Sequence, residues 1–92
     1  MTLSTLQNLQ DCYEAALKNN ASYIGIAVRI PNIDGAEVII NKTSNFEEKM
    51  NYYQKAYDEN LKLKSNPDIQ IVAFASGNSF DDIEKHLKLI LQ

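Results

Sequence analysis

The sequence has few of the residues on which most catalytic and metal sites depend. Its 92 residues include one cysteine, Cys12, one histidine, His86, and no tryptophan. A single cysteine excludes an internal disulfide, and with one histidine it excludes a zinc site built from a Cys/His cluster. A reducing compartment fits this cysteine usage. We therefore predict no catalytic residue, no metal and no cofactor.

Arginine is equally scarce, because Arg29 is the one arginine in a chain of net charge −3. The lysines alternate with acids, whereas nucleic-acid-binding proteins gather their cations on one face. We therefore expect no direct contact with nucleic acid. The chain shows neither a signal-peptide pattern nor an apolar run near the roughly 20 residues that span a bilayer, which predicts a cytoplasmic protein with no membrane contact.

The length and the pattern of apolar residues predict one small domain, residues 1–92, of the α/β (α+β) class. Apolar residues recur at helical spacing in three segments and alternate in three others. The order is α-β-β-α-β-α, with a three-stranded mixed sheet and helices packed on it. Strand orders 2-1-3 and 1-2-3 both remain open. The predicted elements are a helix over 3–19, strands over 23–30 and 36–41, a helix over 46–64, a strand over 69–75 and a helix after residue 79.

Two helix starts carry capping signals. Ser44 and Glu47 match a capping box, in which each side chain bonds the backbone of the other. Ser79 is the expected N-cap of the last helix. The buried stripe of that helix is predicted at Phe80, Ile83, Leu87 and Ile90.

The two faces of the first strand differ in character. Ile24, Ile26 and Val28 form an apolar face on which the helices should pack. The opposite face is expected to carry Tyr23 and Ile39, and it is too apolar to be solvated. A helix, a partner or a second subunit is therefore expected to cover it. A homodimer through this face would hide Tyr23, Ile39 and either Phe74 or Val72.

Several exposed or isolated polar residues are candidate contacts. Arg29 is expected either to pair with Glu37 across the hairpin or to hold a carboxylate or phosphate. The loop from Ser76 to Ser79 joins a strand to a helix, where anions bind backbone amides, but a turn and cap explain it as well. Tyr52 falls off the core stripe of its helix. The candidate ligand- or partner-binding residues are Tyr23, Arg29, Glu37, Ile39, Lys42, Tyr52, Ser76, Gly77, Asn78 and Ser79.

Motifs along the chain carry a family resemblance. They include Val38-Ile39-Ile40-Asn41, Asn45-Phe46, Tyr52-Tyr53, Ile71-Val72-x-Phe74 and Gly77-x-Ser79-Phe80. Over about residues 12–87 the chain resembles a group of small uncharacterised proteins encoded by phages and prophages of low-GC Gram-positive bacteria. The hairpin from Arg29 to Ile39 is similar to that of a small anti-CRISPR protein that blocks its effector nuclease by imitating DNA.

The resemblance and the lack of a catalytic group together predict a phage-type accessory protein that acts by binding. Its expected partner is a host protein, such as a defence factor, that it blocks. A first alternative is a protein that sequesters a small anionic ligand, such as a nucleotide signal, through Arg29, Tyr23, Lys42 and the Ser76–Ser79 loop. A second alternative is a structural or assembly protein. An enzyme would require Cys12 and His86 to meet as a reactive pair.

Overall fold

The structure is a computed structural model that describes residues 5–91. The predicted start of the first helix at Leu3 lies outside the described residues. Among the helices described, none is long and apolar enough to cross a membrane. The elements are α1 (Leu6–Lys18), β1 (Tyr23–Arg29), β2 (Ala36–Lys42), a 3-10 turn (Thr43–Asn45), α2 (Phe46–Ala56), β3 (Lys62–Leu63), β4 (Asn66–Gly77) and α3 (Phe80–Leu91).

The four strands form one antiparallel sheet in the order β2-β1-β4-β3. The prediction of a three-stranded mixed sheet is wrong in both number and direction. β1 lies between β2 and β4, so these two strands run the same way without bonding each other. The third strand of the prediction corresponds to β4, so the order 1-2-3 is wrong. The order 2-1-3 agrees with β2-β1-β4 but lacks the additional edge strand, β3.

The second helix ends earlier than its apolar spacing predicts. α2 stops at Ala56, because Tyr57 has an extended backbone and Leu61 has a positive φ of 63°. An oxygen of Asp58 accepts bonds from the Asn60 and Lys62 amides, which stabilises a turn instead of a further helical turn. Tyr57 and Leu61 are nevertheless buried, so the spacing identified core positions but not their backbone conformation.

One face of the sheet carries α1 and α2, and we call it the two-helix face. Ile24, Ile26 and Val28 of β1 are buried there, as predicted. The Tyr13 ring of α1 meets Phe46 of α2 edge-on, with ring centroids 5.4 Å apart. This layer contains most of the apolar core.

The opposite face carries α3 alone, and we call it the one-helix face. Ile83 and Leu87 are buried against Ala27 and Ala73. A Cβ on Gly25 would overlap Ile83 Cγ2, so a glycine is required for this close approach. α3 therefore packs on the second face of β1 and not on the isoleucine face, and a helix is one of the three coverings expected for that second face.

The helix starts confirm one capping prediction and correct another. Ser79 Oγ accepts the Asp82 amide at 3.1 Å, so Ser79 caps α3 as predicted. Ser44 lies inside the 3-10 turn, and the Asn45 N-cap of α2 makes no side-chain bond. Of the residues predicted to form the buried stripe of α3, Ile83 and Leu87 are buried, but Phe80 is 54 % exposed, so the prediction for Phe80 is wrong. The side chain of Ile90 lies outside the described part.

Candidate functional site

The hairpin register separates the residues that the sequence grouped on one face. Arg29 lies opposite Ala36, and Glu37 lies opposite Val28. Arg29 therefore points to the one-helix face and Glu37 to the two-helix face, because neighbours along a strand alternate. The predicted Arg29–Glu37 pair is wrong. The cause is the loop over residues 30–35, which is longer than an Asp-Gly turn.

The same register overturns the predicted face-to-face homodimer. Ile39 lies opposite Ile26 on the two-helix face, whereas Tyr23 lies on the one-helix face. Phe74 packs against the core of the two-helix face, and Val72 packs against the core of the one-helix face. No single flat contact hides both Tyr23 and Ile39.

The residues predicted to hold a small anion do not converge. Tyr23 and Arg29 are the two ends of β1. They are therefore about 20 Å apart at a rise of about 3.3 Å per residue. Lys42 and Gly77 lie opposite Tyr23, so they share its end of the sheet. The predicted set is thus split, with Arg29 on its own.

The loop from Ser76 to Ser79 uses its polar groups within the fold. Asn78 Oδ1 accepts the Ser22 amide at 3.1 Å, and Ser79 Oγ caps α3. The Ser76 carbonyl oxygen lies 3.1 Å from His86 Nδ1, which donates to it. A Cβ on Gly77 would come within 3.0 Å of Asp82 Cβ. These contacts support the turn-and-cap interpretation over an anion site.

Arg29 borders a shallow cleft of its own. The cleft has a volume of about 320 Å³ and includes Asp34, Ala36 and Val72 in its wall. The cross-strand neighbours of Arg29 are Ala36 and Gln70, neither of which carries a charge. The guanidinium therefore lacks a cross-strand carboxylate, although Asp34 supplies one acid to the same cleft.

Tyr52 is exposed, as predicted for a contact residue. Its side chain is 49 % exposed, and its ring packs edge-on against Tyr53 with centroids 5.2 Å apart. Lys49 Nζ lies 5.6 Å from the Tyr52 ring centroid. Tyr52 belongs to α2 and therefore lies in the helical layer of the two-helix face.

β2 is an edge strand of the sheet, with one side bonded to β1. The Thr43 amide donates to the Ser22 carbonyl, which extends the β1–β2 register by one bonded pair. Bonded pairs alternate along antiparallel strands, so Glu37, Ile39 and Asn41 direct their amides toward β1. The amides and carbonyls of β2 that point outward belong to Ala36, Val38, Ile40 and Lys42. We call this row the β2 edge.

Within residues 5–91 no strand pairs with the β2 edge. Val38 and Ile39 are 45 % and 44 % exposed, so both faces of the strand offer apolar side chains beside the open backbone. Proteins usually protect such edges with charged side chains, proline, a bulge or short length. β2 carries Glu37 and Lys42 near its ends, but it has seven residues, contains no proline and pairs with β1 without a register shift.

The opposite edge of the sheet is built differently. β3 has two residues, and its pairing with β4 shifts register between Lys62 and Leu63. Shortness and irregularity both disfavour the addition of another strand. The fold therefore protects one edge of its sheet and leaves the other available.

A groove runs between α3 and β2 on the one-helix face. It has a volume of about 370 Å³ and is lined by Val38, Glu84, Leu87 and Lys88. α3 packs on β1 and β4, which leaves the outer strand beyond its flank. A strand bonded to the β2 edge would direct alternate side chains toward this groove.

The two reactive side chains of the sequence lie on opposite layers. Cys12 packs against the core under α1, and His86 lies on α3 across the sheet. Burial raises the pKa of the Cys12 thiol, which disfavours the nucleophilic thiolate. No group of three or more potential metal ligands occurs in the described part of the chain.

Sequence reasoning identified Ile39 but missed the exposed Val38 and the part that Leu87 and Lys88 play in lining the groove beside it. The available signal was the apolar run at residues 38–40, which is apolar on both faces of a strand. Whether such a strand lies at the centre or the edge depends on strand order, which the sequence left open. Comparisons with protein-family models, curated proteins and solved structures find no match.

Proposed function

We propose that this protein acts without catalysis, by binding another protein, and that the β2 edge is its contact. The single observation that supports this is an open, regular edge strand with exposed Val38 and Ile39. A polypeptide that adds a strand gains backbone bonds from the edge and specificity from side chains in the adjoining groove. The family resemblance of the sequence supports a host protein as the partner, blocked by this contact.

The edge geometry suits binding better than chemistry. The Val38 and Ile40 amides offer donors in a row, and Leu87 supplies an apolar floor on one side. Glu84 and Lys88 border the groove with opposite charges, so the groove itself is close to neutral. A neutral apolar groove favours an extended segment with small or medium apolar residues at alternate positions.

Substitution at Val38 tests this contact, because its amide points outward. Val38→Pro removes that donor and the side chain, whereas Val38→Ala removes the side chain and keeps the donor. Proline is tolerated at an edge position whose amide faces solvent, so both variants should fold. The tagged wild-type protein and both variants are incubated with lysate of a low-GC Gram-positive host, and retained proteins are identified by mass spectrometry.

The proposal predicts a retained host protein that Val38→Pro loses and Val38→Ala keeps at reduced yield. The interaction is then reproduced with the purified pair, and melting temperatures confirm that both variants are folded. Equal retention by wild type and Val38→Pro would place the contact elsewhere and contradict the proposal.

The cleft beside Arg29 supports a second candidate, the binding of a small anion. Arg29 lines this cleft and has no charged cross-strand neighbour, although Asp34 also lines the cleft. Native mass spectrometry of protein purified from a host lysate should then show an added mass of a few hundred daltons. Arg29→Ala should remove that mass and leave the melting temperature unchanged, and a mass that persists in the variant sinks the candidate.

A further inference from the structure

We infer that the β2 edge binds the β2 edge of a second copy, which joins the two sheets across a two-fold axis. This inference rests on the proposed function, since it names an occupant of the same edge. It differs in geometry from a contact between sheet faces, because the two strands meet side by side. Its basis is the self-complementarity of the strand from Ala36 to Lys42.

Pairing of β2 with itself has one register of full overlap. Two antiparallel copies of residues 36–42 overlap completely when Ile39 lies on the two-fold axis. In that register Val38 faces Ile40 of the second copy, and both belong to the outward row. Every outward amide and carbonyl of β2 then finds a partner in a regular antiparallel ladder.

The side chains match in the same register. On the one-helix face, Val38 and Ile40 of the two copies form a continuous apolar patch with Lys42 at its ends. On the two-helix face, Ile39 lies beside Ile39 of the second copy, and Glu37 lies opposite Asn41. No like charges stand directly opposite each other, which would destabilise an antiparallel pair.

The charges around the edge also balance. Glu37 and Lys42 lie on β2, and Glu84 and Lys88 lie on the flank of α3. The surface thus carries two acids and two bases, although the whole chain has a net charge of −3. A second copy therefore meets a locally neutral surface, and no field of one sign opposes its approach.

A charge exchange at Ile39 tests the axis and the register together. Ile39 is 44 % exposed, so a charged side chain there is compatible with the monomer fold. In an unbonded antiparallel pair the two Cβ atoms lie about 4.5–5.5 Å apart, close enough for like charges to repel. Ile39→Lys and Ile39→Glu are each prepared, and Ile33→Lys is the matched control because Ile33 is 46 % exposed in the hairpin loop.

Light scattering on a sizing column gives the mass of each protein. We expect a dimer for wild type and for Ile33→Lys. We expect the dimer dissociation constant of Ile39→Lys alone, and of Ile39→Glu alone, to rise at least about tenfold, because like charges meet at the axis. An equimolar mixture of the two variants should restore the dimer. Circular dichroism melts check that each variant is folded, and Val38→Pro gives an independent monomeric variant if either charge variant unfolds.

Two results would overturn the inference. One is a wild-type protein that is monomeric at millimolar concentration. The other is a dimeric wild type for which the equimolar mixture of Ile39→Lys and Ile39→Glu dimerises no better than either variant alone. Neither result touches the proposed function, since the Val38 variants test retention of a host protein separately. If both occupants bind, dimer and host protein compete for one edge, and dimerisation weakens the apparent affinity for the partner.

Discussion

The side-chain amide of Asn41 donates a 3.0 Å hydrogen bond to the hydroxyl of Tyr13, and both residues are buried. This bond joins the buried side chain of β2 residue Asn41 to α1 on the two-helix face. It fixes the end of the strand whose outer side we assign to binding. A polar pair in this position is stable because each group satisfies the other.

Loss of this bond should destabilise the fold. Tyr13→Phe leaves the buried Asn41 amide with one partner fewer, which costs about 1–3 kcal/mol of unfolding free energy. Urea denaturation at neutral pH measures the loss. Tyr52→Phe is the matched control, because Tyr52 is exposed and should change the unfolding free energy little. Equal stability of Tyr13→Phe and wild type would show that the bond contributes nothing net.

The buried tyrosines predict a loss of stability at high pH. Burial is the main cause that raises the pKa of Tyr13, Tyr53 and Tyr57 in the folded state. Above about pH 10 the unfolded chain releases these protons and the folded chain retains them, so the unfolding free energy falls as pH rises. Below about pH 10 this contribution is complete. Denaturation between pH 8 and 11 should show a fall in the unfolding free energy that Tyr13→Phe makes shallower, and an equal fall in both proteins would contradict this account.

The close approach of α3 to β1 depends on Gly25. Gly25→Ala should cost about 1–3 kcal/mol, because the new methyl group overlaps Ile83 Cγ2 and forces the helix outward. Ile83→Ala removes that atom and is destabilising alone. The double variant should be less destabilised than the sum of the single variants, as a double-mutant cycle measures. Simple additivity would contradict the contact.

The two sides of β2 should respond differently to proline. Val38→Pro removes an outward amide and should leave the fold intact, whereas Ile39→Pro removes an amide that bonds β1 and should unfold the chain. Far-ultraviolet circular dichroism and melting temperatures compare the two. If Val38→Pro unfolds and Ile39→Pro does not, the outward and inward rows are reversed.

Local patterns in the sequence predicted α1, the two hairpin strands and the cap of α3 with small errors at their ends. Each of these depends on neighbours within a few residues. The end of α2 was wrong because Tyr57 and Leu61 keep helical spacing while the chain between them turns at Asp58. The apolar spacing therefore identifies which side chains are buried, but it does not determine whether the backbone between them is helical or turned.

The candidate site was predicted less well, because it depends on strand order. The hairpin register followed from a loop with positive φ at Asn32 and Gly35, which the Asp-Gly signal alone did not reveal. The open edge exists because β1 pairs with β4 on its other side, a long-range choice. The sequence pattern indicated Ile39 as an exposed apolar residue. Val38 became a candidate contact only once the strand order had placed β2 at the edge of the sheet.

Amide hydrogen exchange by NMR tests most directly whether the β2 edge accepts a strand. In dilute protein the Val38 and Ile40 amides should exchange rapidly, while those of Ile39 and Asn41 are protected by β1. At the concentration where light scattering reports a dimer, or with the retained host protein in excess, Val38 and Ile40 should become protected. If association occurs while both amides continue to exchange rapidly, the contact lies elsewhere and the account is contradicted.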